Sequence, residues 1–141
     1  MPKDGSSSIK SFQDGRHVKG KIALGTPESV PAGTYGKEIF TQLNIWDQVK
    51  KNAVYGKDVR QVLSYVETGN VEAGVVYKTD ALVSKKVKIA AEANPDMHSP
   101  IMYPVGIVKG TEHLTEAKTF FQFLQSDTAT SIFKKYGFQV S

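Results

Sequence analysis

Three short stretches carry residues able to hold a small anion through neutral hydrogen-bond donors. The first, Leu24-Gly25-Thr26-Pro27-Glu28-Ser29-Val30-Pro31-Ala32-Gly33-Thr34-Tyr35-Gly36, reads as a strand end, a turn and a helix start. Pro31 suits a first helical turn, where a fixed φ is wanted and an N–H would have no intrahelical partner. A helix start leaves amides without carbonyl partners and, with the helix dipole, makes a region of partial positive charge that suits an anion. Ala32 and Gly33 are small enough to let a ligand approach that backbone. An oxyanion could sit there without any lysine or arginine. The same residues also describe an ordinary strand-to-helix turn of an α/β domain.

The second stretch is Gly56-Lys57-Asp58-Val59-Arg60-Gln61. Asp58 is a good N-cap, and a capping aspartate accepts from the second or third helical N–H, here Arg60 or Gln61, which leaves the N–H of Val59 free. The third is Val75-Val76-Tyr77-Lys78-Thr79-Asp80, in which Tyr77 stands where a strand of an open α/β sheet would end. Its hydroxyl is a donor for an oxyanion, or alternatively a packing group at a strand terminus. Asp80 suits capping or local pairing, since a carboxylate repels an anion.

The elements that must position these groups follow from periodicity. Ile22-Ala23-Leu24 is a strand ending at Gly25, and Tyr35, Ile39, Phe40 and Leu43 recur near helical spacing after Pro31. Ile45, Trp46 and Val49 make an apolar turn, and Ala53-Val54-Tyr55 a short strand ending at Gly56. Val59, Val62, Leu63 and Val66 mark one face of a helix that Gly69 closes. Val71 to Tyr77 is a third strand, Ala81 to Ser84 finishes a short helix, and Val87 to Ala91 is a fourth strand. Ile101 to Val108 is extended, with Pro104 suited to an edge or hinge. Leu114, Ala117, Phe120, Phe121 and Leu124, then Ala129, Ile132, Phe133 and Tyr136, form two helical stripes expected to be packing surfaces. Ser126 or Asp127 caps the second helix and Gly137 ends it.

The chain has 141 residues, 40% hydrophobic and 23% charged, enough for one ordinary core. Its formal charge of +4 is spread along all elements; Lys50-Lys51, Lys85-Lys86 and Lys134-Lys135 are isolated pairs without aromatic interleaving, so no nucleic-acid partner is expected. The absence of cysteine excludes disulfides, thiol nucleophiles and thiolate metal sites. His17, His98 and His113 lack metal-ligand spacing, and no phosphate-binding glycine loop, dinucleotide fingerprint or nucleophile elbow occurs. The expectation is a protein without metal, cofactor or catalysis. No apolar run approaches membrane-spanning length, and the start Met1-Pro2-Lys3-Asp4-Gly5 has no apolar signal core.

Five motifs in order, Pro27 to Tyr35, Lys57 to Gln61, Val66-Glu67-Thr68-Gly69, Ala73 to Asp80 and Ile132 to Phe138, closely resemble the molybdate-binding protein of bacterial ABC transporters. The resemblance runs from about Lys21 to Phe138. It implies an α/β fold of the type II periplasmic-binding-protein class, a mostly parallel sheet flanked by helices. It also implies capture of molybdate or tungstate outside the cytoplasmic membrane, in the periplasm or as an extracellular lipoprotein, for transfer to an ABC permease. The family uses the backbone N–H groups at the positions of Ala32 and Val59 and the tyrosine hydroxyl at the position of Tyr77.

By that comparison residues 1–20 are a connector from a first lobe, 21–100 the second, anion-binding lobe, and 101–141 a returning strand with C-terminal helices. The chain is then expected to be a fragment with half the site, since the first lobe supplies serine hydroxyls to the anion's other side. Thr26 stands where the family often has an acidic residue. Two other readings stay open, a ligand-sensing domain of a transcription regulator and a sulfate- or phosphate-binding protein of the same fold.

Overall fold

In a computed structural model, residues 1–5 and 7–140 are described, and they form two compact units, Met1–Pro100 and Ile101–Ser141. The first is built on three parallel strands, β1 (Ile22–Gly25), β2 (Ala53–Gly56) and β3 (Ala73–Gly74), in the order β2-β1-β3. Ile22 to Gly25 pair with Ala53 to Gly56 residue for residue, and Ile22 and Ala23 pair with Ala73 and Gly74. The middle strand is buried along its whole length, as a continuous apolar run in a parallel sheet requires.

Helices connect the strands. Helix α1 (Pro31–Gln42) follows β1, with Pro31 at its first position, and buries Ala32, Gly33, Gly36, Ile39 and Phe40. A single-turn helix α2 (Trp46–Val49) leads to β2, and α3 (Val59–Glu67) follows β2 with Val62, Leu63 and Val66 buried. Gly69 stops α3 with φ of 72°, a backbone state that glycine enters without steric penalty. Helix α4 (Lys78–Val83) follows β3. The core lies on both sheet faces. Val18, Ile22, Phe40, Ile45 and Val49 cluster on one, Ala23, Val62, Val66 and Val71 on the other. Phe12, in a 3-10 turn over Phe12–His17, packs its ring 5.9 Å from that of Phe40, so the segment before Lys21 contributes to this core.

Two strand expectations change. The third strand, read over Val71 to Tyr77, forms a ladder of two residues, although the Val75 amide still donates to Ala23 O at 2.9 Å. A Cβ on Gly74 would lie 2.6 Å from Val66 Cγ2, so α3 crosses directly on this strand. The fourth strand, read over Val87 to Ala91, is a single antiparallel bridge between Pro2 and Val87, flanked by Lys3 N to Lys86 O and Lys88 N to Met1 O bonds of 2.8 and 2.9 Å.

The second unit contains α5 (Leu114–Leu124) and α6 (Asp127–Lys135). Ser126 caps α6, accepting from Ala129 N at 3.2 Å, and Gly137 ends it at φ of 88°. The expected packing stripes are largely uncovered: Phe120 is 60% exposed, Tyr136 51% and Ile132 48%, while Ala129 is buried. Two short helices without a sheet of their own have too little surface to bury both stripes. Residues 101–108 form neither helix nor ladder.

Candidate functional site

Parallel strands fix where the following helices begin. Because β2, β1 and β3 are neighbours and point the same way, the starts of α1, α3 and α4 all follow the C-terminal edge of one sheet. Strand spacing of about 4.8 Å brings the first two of these turns side by side. This is the edge where ligands of open α/β sheets bind. The structure places Ala32, Val59 and Tyr77 there: Ala32 second in α1, Val59 first in α3, and Tyr77 capping α4.

The turn from β1 to α1 is held by its own backbone. Thr26 O accepts from Ser29 N at 3.1 Å and Val30 N at 2.8 Å, and Val30 O accepts from Gly33 N at 2.9 Å and Thr34 N at 3.1 Å. Pro31 has no N–H. Of the first four residues of α1, Ala32 therefore alone offers an amide with no acceptor among the described residues, although it is only 3% exposed. The turn sits unusually close to the strand. A Cβ on Gly33 would lie 1.9 Å from Gly25 O, and one on Gly25 would lie 2.4 Å from Val30 Cγ1. Only glycine at both positions allows this approach, so the two glycines set the position of the Ala32 amide.

At α3 the cap selects the donor. Asp58 Oδ1 accepts from Gln61 N at 2.8 Å, and Asp58 O accepts from Val62 N at 3.3 Å. Gln61 returns the bond, its Oε1 accepting from Lys57 N at 2.8 Å. The amides of Val59 and Arg60 have no acceptor among the described residues. The aspartate takes the third amide, leaving two free where the sequence promised one. Arg60 N–H is thus a further candidate donor, a choice that the capping rule left open between Arg60 and Gln61.

Tyr77 is half-buried and already engaged in interactions of its own. Its carbonyl accepts from Asp80 N at 3.1 Å and Ala81 N at 3.2 Å, which opens α4. Burial pushes the Asp80 carboxyl above its ordinary value, and the charge of Arg60 opposes this. Thr26 joins two of the turns, its N–H and Oγ1 both donating to Gly56 O, at 2.9 and 3.3 Å.

An open groove of about 580 Å³ runs along α1 from Thr34 to Gln42, lined also by Lys37, Thr41 and His98 among others, and includes none of the three candidate residues. No group of three or more His, Asp or Glu side chains among the described residues is arranged to hold a metal ion. What the sheet edge offers among the described residues is three backbone N–H groups at two helix starts, those of Ala32, Val59 and Arg60, with Tyr77 at the start of α4, a set suited to an anion with several acceptor oxygens.

The fold is that of the type II periplasmic-binding-protein class. A solved substrate-binding domain from Clostridium difficile, assigned provisionally to a molybdenum ABC transporter, superimposes with a TM-score of 0.80 at 39% identity, covering 95% of this chain and 59% of that one. The sequence matches the model of the bacterial extracellular solute-binding proteins over residues 1–139, and the chain belongs to that family. The Bacillus subtilis protein YvgL, whose name assigns it provisionally to the ABC transporter substrate-binding lipoproteins, is 67% identical over 98% of this chain and 53% of its own length. The molybdate-binding protein ModA of Haemophilus influenzae is 44% identical over 83% of this chain and 46% of its own. The chain thus spans about half the length of the curated relatives it matches.

Proposed function

We propose that residues 21–100 form one lobe of an oxyanion-binding protein that delivers molybdate or tungstate to an ABC permease, outside the cytoplasmic membrane. The observation that carries this is the amide of Ala32, a residue only 3% exposed, without an acceptor among the described residues at the C-terminal edge of the sheet, beside a second helix start whose cap leaves Val59 N–H likewise unused among them. A buried donor left unpaired costs about 1–3 kcal/mol, which a ligand oxygen would offset. The relatives named as molybdate-binding support the choice of anion.

The mechanism is replacement of water by fixed dipoles. A tetrahedral dianion sheds its hydration shell against the N–H groups of Ala32 and Val59 and the hydroxyl of Tyr77, and the two helix dipoles stabilise its charge without a counterion. Discrimination then rests on size and on how many oxygens find donors, which distinguishes molybdate and tungstate from the smaller sulfate. Binding and release are the whole task, with no reaction catalysed and no cofactor needed.

This half of the site leaves the anion's far side open. Each missing hydrogen bond to a charged ligand is worth about 1.5–3 kcal/mol, so a chain extended to the relatives' full length should bind at least about a hundredfold more tightly than this one. Calorimetric titration of both forms with molybdate, tungstate, sulfate and phosphate tests the proposal. Preference for molybdate and tungstate in the long form supports it; equal or better binding of sulfate or phosphate rejects the choice of anion.

A further inference from the structure

The turn that presents Ala32 is closed from outside by a single side-chain hydrogen bond. Thr34, exposed on the first turn of α1, donates from Oγ1 to Pro27 O at 2.6 Å, seven residues back. A helical threonine ordinarily bonds the carbonyl four residues earlier, and here that contact, to Val30 O, is the longer one at 3.5 Å. Val30 O is already occupied by Gly33 N and Thr34 N, whereas no other donor among the described residues reaches Pro27 O.

We propose that Thr34 is a positioning residue for the anion site, fixing the Pro27–Glu28 peptide at the corner of the turn. Two effects follow. The bond keeps the turn 26–30 in one arrangement, so the strand-contacting first turn of α1 and its free Ala32 amide are held before a ligand arrives. It also engages one lone pair of a carbonyl near the helix start, reducing a partial negative charge that would oppose an oxyanion. The lock extends to the neighbouring helix start: Thr26, at the root of the same turn, is bonded through its N–H and Oγ1 to Gly56 O at the end of β2, two residues before the Asp58 cap. One continuous set of bonds therefore runs from Thr34 to the base of α3 and relates the two amide donors. The inference rests on the oxyanion reading given above.

Thr34→Val keeps the shape and removes the donor, and Thr34→Ser keeps the donor. The test titrates molybdate into wild type and both variants, in this chain and in the chain extended to the relatives' length, and follows amide hydrogen exchange at Ser29 and Val30 without ligand. The expected result is an affinity loss of about 3- to 10-fold in Thr34→Val, recovery in Thr34→Ser, and faster exchange at Ser29 and Val30 with an unchanged midpoint of thermal unfolding. Wild type that binds molybdate while Thr34→Val binds equally well overturns the positioning role alone. Wild type that binds none of the oxyanions in either length overturns the oxyanion reading, and this role with it.

Discussion

Gly33→Ala tests the packing that sets the site. The added Cβ would lie 1.9 Å from Gly25 O, 2.5 Å from Gly25 C and 3.0 Å from Gly25 Cα, where ordinary contacts begin at 3.4 Å. The obstacle is backbone in the buried central strand, itself paired with Gly56, so no side chain can swing aside. Helix α1 must move outward by roughly 1.5 Å, loosening Ile39 and Phe40 from the core. Overpacking typically costs about 1–3 kcal/mol, and a backbone obstacle belongs at the upper end; the better helix propensity of alanine returns about 1 kcal/mol, leaving a net loss of about 2 kcal/mol. With a urea dependence of about 2 kcal/mol per molar, the unfolding midpoint should fall by about 1 M. The same movement carries the Ala32 amide away from the sheet edge, so anion affinity should drop at least about tenfold. Gly106→Ala, with nothing within 4 Å of its Cβ, is the control and should change neither quantity. A Gly33→Ala midpoint within about 0.2 M of wild type, with unchanged affinity, would refute the reasoning.

Tyr77→Phe removes a hydroxyl assigned to a charged ligand and should weaken molybdate binding about 10- to 100-fold by calorimetry. Asp58→Ala strips the cap from Gln61 N and should cost about 1 kcal/mol in urea unfolding, whereas Asp58→Asn, which can still accept that bond, should cost much less. Asp80 has a carboxyl raised first by burial, so between its unfolded and folded values the folded chain holds more protons and stability declines as pH rises. Asp80→Asn should therefore be more stable than wild type at neutral pH, with the difference vanishing below the ordinary aspartate range; a difference independent of pH across urea titrations would contradict this assignment.

The parts of the fold legible in the sequence were those with a local physical cause. Pro31 marked the start of α1 because proline tolerates only an N–H-free helical position. Asp58 marked α3, and Gly69 its end, through a capping bond and a left-handed φ. The positions of Ala32, Val59 and Tyr77 in the fold were legible for the same reason, since alternation of strand and helix puts the start of the helix after each parallel strand on one edge. What the sequence did not disclose depends on distant partners. Val71 to Tyr77 has the composition of a long strand, yet its ladder is cut to two residues where Gly74 lies against Val66 and Val62. Val87 pairs with Pro2, a contact 85 positions apart that no local pattern announces. The stripes on α5 and α6 were read as packing surfaces, and periodicity reports that a face is apolar without reporting what covers it. The second free amide at α3 turned on which of two residues Asp58 accepts from, a matter of side-chain geometry that residue type does not determine.

The most direct measurement of the central claim is an amide nitrogen–proton correlation spectrum of the chain titrated with molybdate, in this form and at the relatives' full length. Backbone capture predicts that the largest, saturable shifts fall on the amides of Ala32 and Val59, with smaller ones at Arg60 and around Tyr77. Shifts confined to lysine-bearing segments, such as Lys50-Lys51 or Lys85-Lys86, with Ala32 and Val59 unmoved at saturation, would contradict the account.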